Sequence, residues 1–387
     1  MPTLTLPTAD RKLERYTTRS PRAWPKEPVN PFDRVALAAV HVVADPLADS
    51  DPWLDAPIDW EATLAYRRHL WKLGFGIAEA MDTAQRGMGL DWKASLELIR
   101  RSIAEAKSEG GAVVFSGAGT DHLAPGVHGI DAIVRAYEEQ IGAIEKLDGR
   151  VILMASRALA ASAAGPGAYA QVYDRILGQM REKAIIHWLG DMFDPALAGY
   201  WGHRDLDTAM EVALDVIRRN ADKIEGVKIS LLDKDREIAM RRRLPKGVRM
   251  FTGDDFNFAE LIAGDGEGHS DALLGILDAI APAASAALAA LARGSRNEFQ
   301  DMLAPIVPLS RHIFKAPTRF YKTGIVFMAY LNGHQRHFVM IGGQESARSI
   351  AHLAELFRLA DAAGLLVDPE LAARRMQAVL RSHGIEA

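Results

Sequence analysis

Short runs of apolar residues recur along the whole chain, and polar segments separate them. Runs of this length that are apolar at nearly every position are typical of strands buried on both faces of a parallel sheet. We predict eight such strands, at residues 34–43, 76–81, 112–117, 150–156, 184–189, 225–230, 248–253 and 272–276.

Segments with helical periodicity lie between the predicted strands. Asp59 is placed to cap a helix over 60–73, and Asp91 is placed to cap the next one. Further helices are predicted over 130–146 and 169–182, and Asp207 is predicted to open another. Strands and helices therefore alternate along the chain.

This alternation predicts an α/β protein with a (β/α)8 TIM barrel, a fold of about 250 residues. We place the TIM barrel at 31–286, after an N-terminal extension over 1–30 and before a C-terminal helical extension over 287–387. An open doubly wound sheet is the alternative. Against it, no Gly-x-Gly-x-x-Gly fingerprint follows the first strand, and eight regular units are many for one open sheet.

The composition is that of a globular protein. Of the 387 residues, 49% are hydrophobic and 25% are charged, and the net charge is −4. No basic block stands out, so nucleic acid and anionic membrane surfaces are not expected as partners. The absence of cysteine excludes disulfides, thiolate metal sites and a cysteine nucleophile, and it agrees with a cytoplasmic enzyme.

No segment has the pattern of a targeting or membrane sequence. Residues 1–30 are polar and rich in proline, without the apolar core of a signal peptide. The most apolar stretch, 272–292, is interrupted by Asp278 and Pro282 and is rich in alanine. Because a membrane span needs about 20 strongly apolar residues, we predict a buried strand followed by a core helix there.

One predicted strand carries a lysine among apolar neighbours, in the sequence Glu225-Gly226-Val227-Lys228-Ile229-Ser230. A lysine in a dry interior has a lowered pKa, and its neutral amine is a nucleophile for carbonyl groups. The alternative is a lysine whose ammonium reaches out to water at the strand end. The strand by itself does not decide between the two.

In a (β/α)8 barrel the chemistry lies at the carboxyl ends of the strands. The polar candidates at these ends are His41, Asp45, Glu79, Thr83, Ser116, Asp121, Ser156, Arg157, His187, Asp191, Lys228, Ser230, Asp254 and Asp255. For Arg157 we consider binding of an anionic substrate group, or an ion pair with Glu79 or Asp191.

Two segments of the chain carry a resemblance to a known family. Gly226-Val227-Lys228, followed by Thr252-Gly253-Asp254-Asp255, resembles the dihydrodipicolinate synthase and N-acetylneuraminate lyase superfamily. The similarity continues through 272–275 and 281–282 and covers most of residues 31–335. The resemblance implies a homodimeric or homotetrameric TIM-barrel lyase that uses neither a metal nor another cofactor. In it, Lys228 would form a Schiff base with a 2-keto acid or a keto-deoxy sugar acid.

The chain departs from the family pattern at several positions. His187 stands where the family has a tyrosine that relays protons, or Trp188 does if the register slips by one. Met192 replaces the arginine that binds the second substrate in the synthase branch, which argues against the dihydrodipicolinate reaction itself. Of the family's Gly-Thr-Thr-Gly loop, only Thr83 is kept.

We therefore predict two catalytic residues, Lys228 and His187. The predicted substrate-binding residues are Thr83, Ser156, Arg157, Asp191, Ser230 and Asp254. For Asp254 and Asp255 the alternative is a structural role, bracing the turn and the helix that starts near Phe256.

Two other functions are considered. His41, Glu79, His187, His203 and the aspartates near the seventh strand could form a divalent-ion site, as in barrel sugar isomerases and epimerases. However, the sequence has no His-x-x-x-His helix pair or other ligand spacing, so we expect no metal. The loss of the family's tyrosine and threonine pair favours a non-catalytic barrel that binds a small molecule.

Overall fold

Eight parallel strands close into a barrel in the computed structural model, which describes residues 1–385. Each strand pairs with the next one in the chain, and the last pairs with the first. A hairpin of β1 (Thr3–Pro7) and β2 (Leu13–Thr17) precedes the barrel. The barrel strands are β3 (Ala36–Ala39), β4 (Gly76–Glu79), β5 (Val114–Ala118), β6 (Arg150–Leu153), β7 (Ala184–Leu189), β8 (Ile224–Ser230), β9 (Arg249–Thr252) and β10 (Asp271–Leu274). The predicted TIM barrel is confirmed, with all eight of its strands.

Helices follow the strands and continue beyond the last one. They are α1 (Trp60–Lys72), α2 (Trp92–Ser108), α3 (Ile130–Glu145), α4 (Arg157–Ser162), α5 (Pro166–Gly178), α6 (Leu206–Arg219), α7 (Lys234–Arg241), α8 (Phe258–Ala263), α9 (Ile276–Ala279), α10 (Ala281–Ala292), α11 (Arg296–Leu303), α12 (Val307–Ile313), α13 (Tyr321–Leu331), α14 (Ile350–Ala362) and α15 (Pro369–Ser382). The C-terminal helical extension is therefore confirmed. Among the described residues, no helix is long and apolar enough to cross a membrane.

Two of the predicted helix starts are correct. The carboxylates of Asp59 and Asp91 each accept a hydrogen bond from a backbone N–H in the first turn of α1 and α2, at 3.0 and 2.8 Å. These bonds satisfy N–H groups that have no acceptor inside the helix.

Two other helix starts are wrong. The helix predicted over 169–182 begins earlier, because Pro166 presets the backbone for a first helical turn, and it ends at Gly178. The cap of α6 is Asp205 rather than Asp207: its carboxylate accepts the N–H of Thr208 at 2.8 Å. Asp207 lies in the first turn of that helix.

The chain contains two compact units. One unit comprises residues 34–40 and 75–274, and it holds all eight barrel strands. The other comprises residues 1–33, 41–74 and the part of the chain from 275 onward. Within this second unit, the hydroxyl of Tyr16 in the hairpin donates to the Asp361 carboxylate on α14 at 2.7 Å. The predicted domain boundaries at residues 30 and 286 stay a prediction.

Alternate residues of the barrel strands point into the barrel, because the side chains of a strand alternate between its two faces. Leu37, Phe115, Ile152 and Phe251 belong to one buried apolar cluster contributed by different strands. Ile185 belongs to the same cluster and lies two residues before His187 on β7. The strand period therefore directs both Ile185 and His187 toward the barrel interior.

We expect Phe251→Ala to lower the free energy of unfolding by about 3–5 kcal/mol, because it leaves a cavity in the barrel interior. Phe251 is fully buried. Urea denaturation measures the change. Val113→Ala is the control, since Val113 is 44% exposed just before β5, and it is expected to change the free energy by less than about 0.5 kcal/mol. Equal effects of the two substitutions would contradict this packing.

A buried carboxyl group lies on α7. Glu237 accepts hydrogen bonds from the hydroxyls of Thr252, at 2.9 Å, and Ser270, at 2.6 Å. Burial raises the pKa of Glu237 to about 8, although these two hydrogen bonds act in the opposite direction. The group is therefore protonated at neutral pH in the folded chain.

This raised pKa predicts a pH-dependent stability. Between about pH 5 and pH 8 the folded chain holds a proton that the unfolded chain releases, so the free energy of unfolding falls as pH rises, by up to about 1.4 kcal/mol per pH unit. Glu237→Gln keeps the shape of the protonated group and should remove this contribution. Urea denaturation at several pH values compares the two proteins. An identical pH dependence would show that Glu237 does not hold this proton.

Candidate active site

The predicted nucleophile, Lys228, lies in the interior of the barrel near the carboxyl end of β8. It is 5% exposed, and it is aligned with His187 on β7 and with Phe251 on β9. Two glycines, one on β8 and one just after β9, allow close packing around the lysine. A Cβ atom at Gly226 would lie 2.6 Å from the ring of Phe251, and one at Gly253 would lie 2.8 Å from Cε of Lys228. Gly226, two residues before Lys228, and Gly253, just after β9, are therefore required by packing.

The surroundings of Lys228 favour the neutral amine. Burial lowers the pKa of Lys228, while the negative charges of Asp82 and Asp255 act in the opposite direction. The ammonium group has no hydrogen bond to any residue in the described part of the chain. An amine with these properties is a better nucleophile than a lysine in water.

His187 lies beside the lysine. Its Nε2 is 3.2 Å from the hydroxyl of Ser230, and the ring is 2% exposed. Burial, together with the positive charge of Lys228, lowers the pKa of His187 well below 6.5, against a smaller opposing effect of Asp82. The neutral ring has one nitrogen that donates and one that accepts a proton. Trp188 points the other way, and its ring centroid lies 6.3 Å from that of Trp201.

A cavity of about 500 Å³ opens at this end of the barrel. His187 lines it, while Lys228 is not among the lining residues. The polar part of the lining consists of Asp82, Arg86, Thr120, Asp121, Arg157, His187 and Asp194. Asp82 acts electrostatically on both Lys228 and His187, so it links the cavity to the lysine.

An ion pair of Arg86 and Asp121 forms one wall of the cavity. The Nε and Nη2 atoms of Arg86 donate to the two carboxylate oxygens of Asp121 at 3.0 and 2.7 Å. Burial acts to raise the pKa of Asp121, but the hydrogen bonds and charge of Arg86 outweigh it and hold that pKa at about 2. Gln140 accepts from the same guanidinium. Both charges of this wall are therefore already neutralised within the protein.

A second ion pair includes the predicted Arg157. Its Nε donates to the carboxylate of Asp194 at 2.5 Å, so its partner is neither Glu79 nor Asp191, the two considered from sequence. Glu79 instead accepts hydrogen bonds from the hydroxyl of Ser102 and the N–H of Ala80. The side chain of Arg157 is 50% exposed, which leaves its remaining N–H groups accessible from the cavity.

The other predicted substrate-binding residues do not line the cavity. Ser156 caps α4 through the N–H of Leu159 and lies 2.6 Å from the hydroxyl of Thr120, a lining residue. Thr83 is buried in a short 3-10 turn, and Asp191 is exposed. The carboxylate of Asp254 accepts three hydrogen bonds within its own turn, the structural role considered for it above.

Sequence reasoning missed Asp82, Arg86 and Asp194 as cavity residues. A signal existed for Asp82, because it follows the second strand at the same end of the barrel as Lys228. Arg86 and Asp194 lie in loops, whose path does not follow from periodicity. In the part of the chain that the structure describes, no group of three or more histidine, aspartate or glutamate side chains could hold a metal ion.

We expect the imidazole of His187 to be neutral at pH 6.5, where an ordinary histidine is half protonated, because burial and the charge of Lys228 lower its pKa well below that value. NMR spectra of the protein with 15N-labelled histidine measure this, and the spectrum of His187→Gln assigns the signal. A titration midpoint at or above 6.5 would contradict the buried, neutral state.

Solved structures of similar fold belong to the dihydrodipicolinate synthase family. One is dihydrodipicolinate synthase from Thermotoga maritima, with a TM-score of 0.61 and 15% identity over 86% of this chain and 99% of that one. The enzyme from Acinetobacter baumannii, complexed with pyruvate, has a TM-score of 0.61 and 16% identity over 86% and 99%. A prophage protein of the same family from E. coli K12, also complexed with pyruvate, has a TM-score of 0.62 and 10% identity. The match covers 92% of this chain and 99% of that one.

These likenesses confirm, at the level of the fold, the resemblance found in the sequence. No protein of curated function matches the sequence. One family model matches residues 4–385, and its description is "Protein of unknown function (DUF993)". Since this match spans nearly the whole sequence, the chain belongs to the DUF993 family, on a barrel of the dihydrodipicolinate synthase type.

Proposed function

We propose that this protein is a Schiff-base-forming lyase, an aldolase or a dehydratase, that acts on a 2-keto acid or a keto-deoxy sugar acid. The observation that carries the proposal is the position of Lys228. It is a buried amine of lowered pKa at the carboxyl end of the sixth barrel strand, next to a neutral histidine. This is the end of the barrel at which enzymes of this fold carry their chemistry.

In the first step, the neutral amine of Lys228 attacks the keto carbon, and a carbon–nitrogen bond forms. The carbonyl oxygen takes up two protons and leaves as water, which gives a protonated imine. This cation withdraws electrons. In an aldol cleavage the hydroxyl on the β carbon loses its proton and becomes the carbonyl of a released aldehyde, while the pair of the broken α–β carbon bond forms the carbon–carbon double bond of an enamine. In a dehydration the α carbon loses a proton to give the enamine, which then expels the protonated β hydroxyl as water. Protonation of the enamine carbon and hydrolysis of the imine release the product and restore the amine.

His187 is the group proposed to move protons in these steps. Its ring is neutral, it lines the cavity, and it is aligned with Lys228 on the neighbouring strand. Ser230, 3.2 Å from Nε2, holds the ring in place. A neutral imidazole can take a proton from the attacking amine and return it to the leaving oxygen.

The side chains around the cavity also limit which chemical groups the substrate can carry. Arg157 is the cation in the lining with accessible N–H groups, so we assign to it an anionic group of the substrate, such as the carboxylate. Met192 takes the position of the family's second-substrate arginine, so the dihydrodipicolinate reaction itself is not proposed. The cytoplasmic location and the homodimeric or homotetrameric state stay predictions from the sequence.

Borohydride trapping tests the proposal. Reduction in the presence of 2-keto acids should add the mass of one substrate, less its carbonyl oxygen, to the peptide that contains Lys228. Lys228→Ala should abolish the adduct. Lys183→Ala should retain it, because Lys183 is exposed just before β7, at the other end of that strand. Turnover of a keto acid without a trapped adduct, or an adduct that persists in Lys228→Ala, would overturn the proposal.

A further inference from the structure

A second cavity, of about 390 Å³, lies among the C-terminal helices, in the compact unit that does not contain the barrel strands. Its lining includes the start of α14 and the residues around the end of α12. The ionisable side chains that line it are His312, Lys315, Arg348, His352, Glu355 and Arg358. Three cations therefore face a single carboxylate.

One of the three cations is paired within the protein. Arg358 lies 3.4 Å from the Glu355 carboxylate and also donates to the carbonyl oxygens of Leu6 and Pro7. Lys315 and Arg348 have no carboxylate partner among residues 1–385. The cavity is left with two positive charges that nothing in the described chain neutralises.

Arg348 is 8% exposed, although its charge is not compensated. Its Nη2 donates to the carbonyl oxygens of Ile313, Lys315 and Pro317, at 3.4, 2.7 and 3.1 Å. These bonds fix the guanidinium against the loop after α12. Its Nε has no acceptor within the described residues. A buried guanidinium N–H without an acceptor is costly, so an oxygen ligand at this position would stabilise the protein.

His352 gives the second observation that points to a ligand. The residue is 5% exposed, and neither of its ring nitrogens has a hydrogen-bond partner in the part of the chain that the structure describes. The ring stacks on His312, with centroids 4.1 Å apart. Burial, and then the charges of His312, Arg348 and Lys315, lower the pKa of His352 to about 2. The neutral ring carries one N–H group that lacks an acceptor.

The start of α14 adds backbone donors. Ser349 caps this 13-residue helix by accepting the N–H of His352 at 3.2 Å. The N–H groups of Ile350 and Ala351 lie in the first turn, where no carbonyl of the same helix can accept them. A helix N-terminus of this kind favours an anion.

We propose that this cavity binds a phosphate group, as the free ion or as a phosphomonoester. Two uncompensated cations match the double negative charge of phosphate, and its oxygens can accept from Arg348, from His352 and from the first turn of α14. This site is separate from the proposed lyase function and does not depend on it.

Calorimetric titration of the full chain with inorganic phosphate, at constant ionic strength, tests this proposal. Saturable binding of one phosphate at this site is expected, with a dissociation constant below about 10 mM. Lys315→Glu should weaken it by about tenfold or more, because one charged donor is replaced by a repelling carboxylate. Lys315 is exposed, so this substitution leaves the fold intact.

Lys246→Glu is the matched control, since it makes the same charge change at another exposed lysine. It should change the dissociation constant by less than about twofold. His352→Phe keeps the stacked ring but removes the N–H donor, and it should weaken binding by several fold.

Glycerol 3-phosphate distinguishes between the two sources of the phosphate group, a phosphomonoester and the free ion. Tighter binding than that of inorganic phosphate identifies an organic phosphate, and equal binding identifies the free ion.

Two results would overturn the proposal. One is the absence of saturable binding by the unaltered chain with both probes. The other is an equal effect of Lys246→Glu and Lys315→Glu, which would mean that phosphate responds only to the overall charge. Lys228→Ala should bind phosphate as the unaltered chain does, so the outcome is independent of the borohydride experiment.

Discussion

A charged amine that is buried in a protein loses its hydration, and other interactions must offset this cost in free energy. This constraint acts on Lys228. The residue points into the barrel, where a buried apolar cluster includes Leu37, Phe115, Ile152 and Phe251. Asp82 and Asp255 supply part of the compensation through their charges. The remainder is met by a lowered pKa, so that the amine loses its proton more readily. The lowered pKa of the lysine is therefore a consequence of where the strand places it.

The same constraint couples the lysine to its neighbours. The charge of Lys228 helps to keep His187 neutral, and Asp82 acts on both groups in the opposite direction. Around them, Arg86 pairs with Asp121 and Arg157 pairs with Asp194. Most charges of the cavity are therefore balanced inside the protein. Of the four side chains in these two ion pairs, Arg157 is the most exposed to solvent.

Much of the barrel follows from the sequence because its strands are short apolar runs with clear ends. The motif at Gly226 and Lys228 also has a local cause, since the glycine makes room for the ring of Phe251. Loop residues were less predictable. The partner of Arg157 is Asp194, which lies in a loop with no periodicity to place it. Similarly, Asp207 was predicted to open α6, but the carboxylate that caps its first turn belongs to Asp205. Which residue pairs with a loop arginine, and which aspartate caps a helix, depends on backbone angles at single positions.

The central claim is that the barrel makes Lys228 an unusually acidic lysine. NMR of the protein with 15N-labelled lysine, in comparison with Lys228→Arg, measures its titration directly. A midpoint clearly below 10.5, and below those of the exposed Lys183 and Lys246, agrees with a buried amine poised to attack a carbonyl group. A midpoint at or above 10.5 would mean that the carboxylates of Asp82 and Asp255 outweigh burial, and it would contradict the claim.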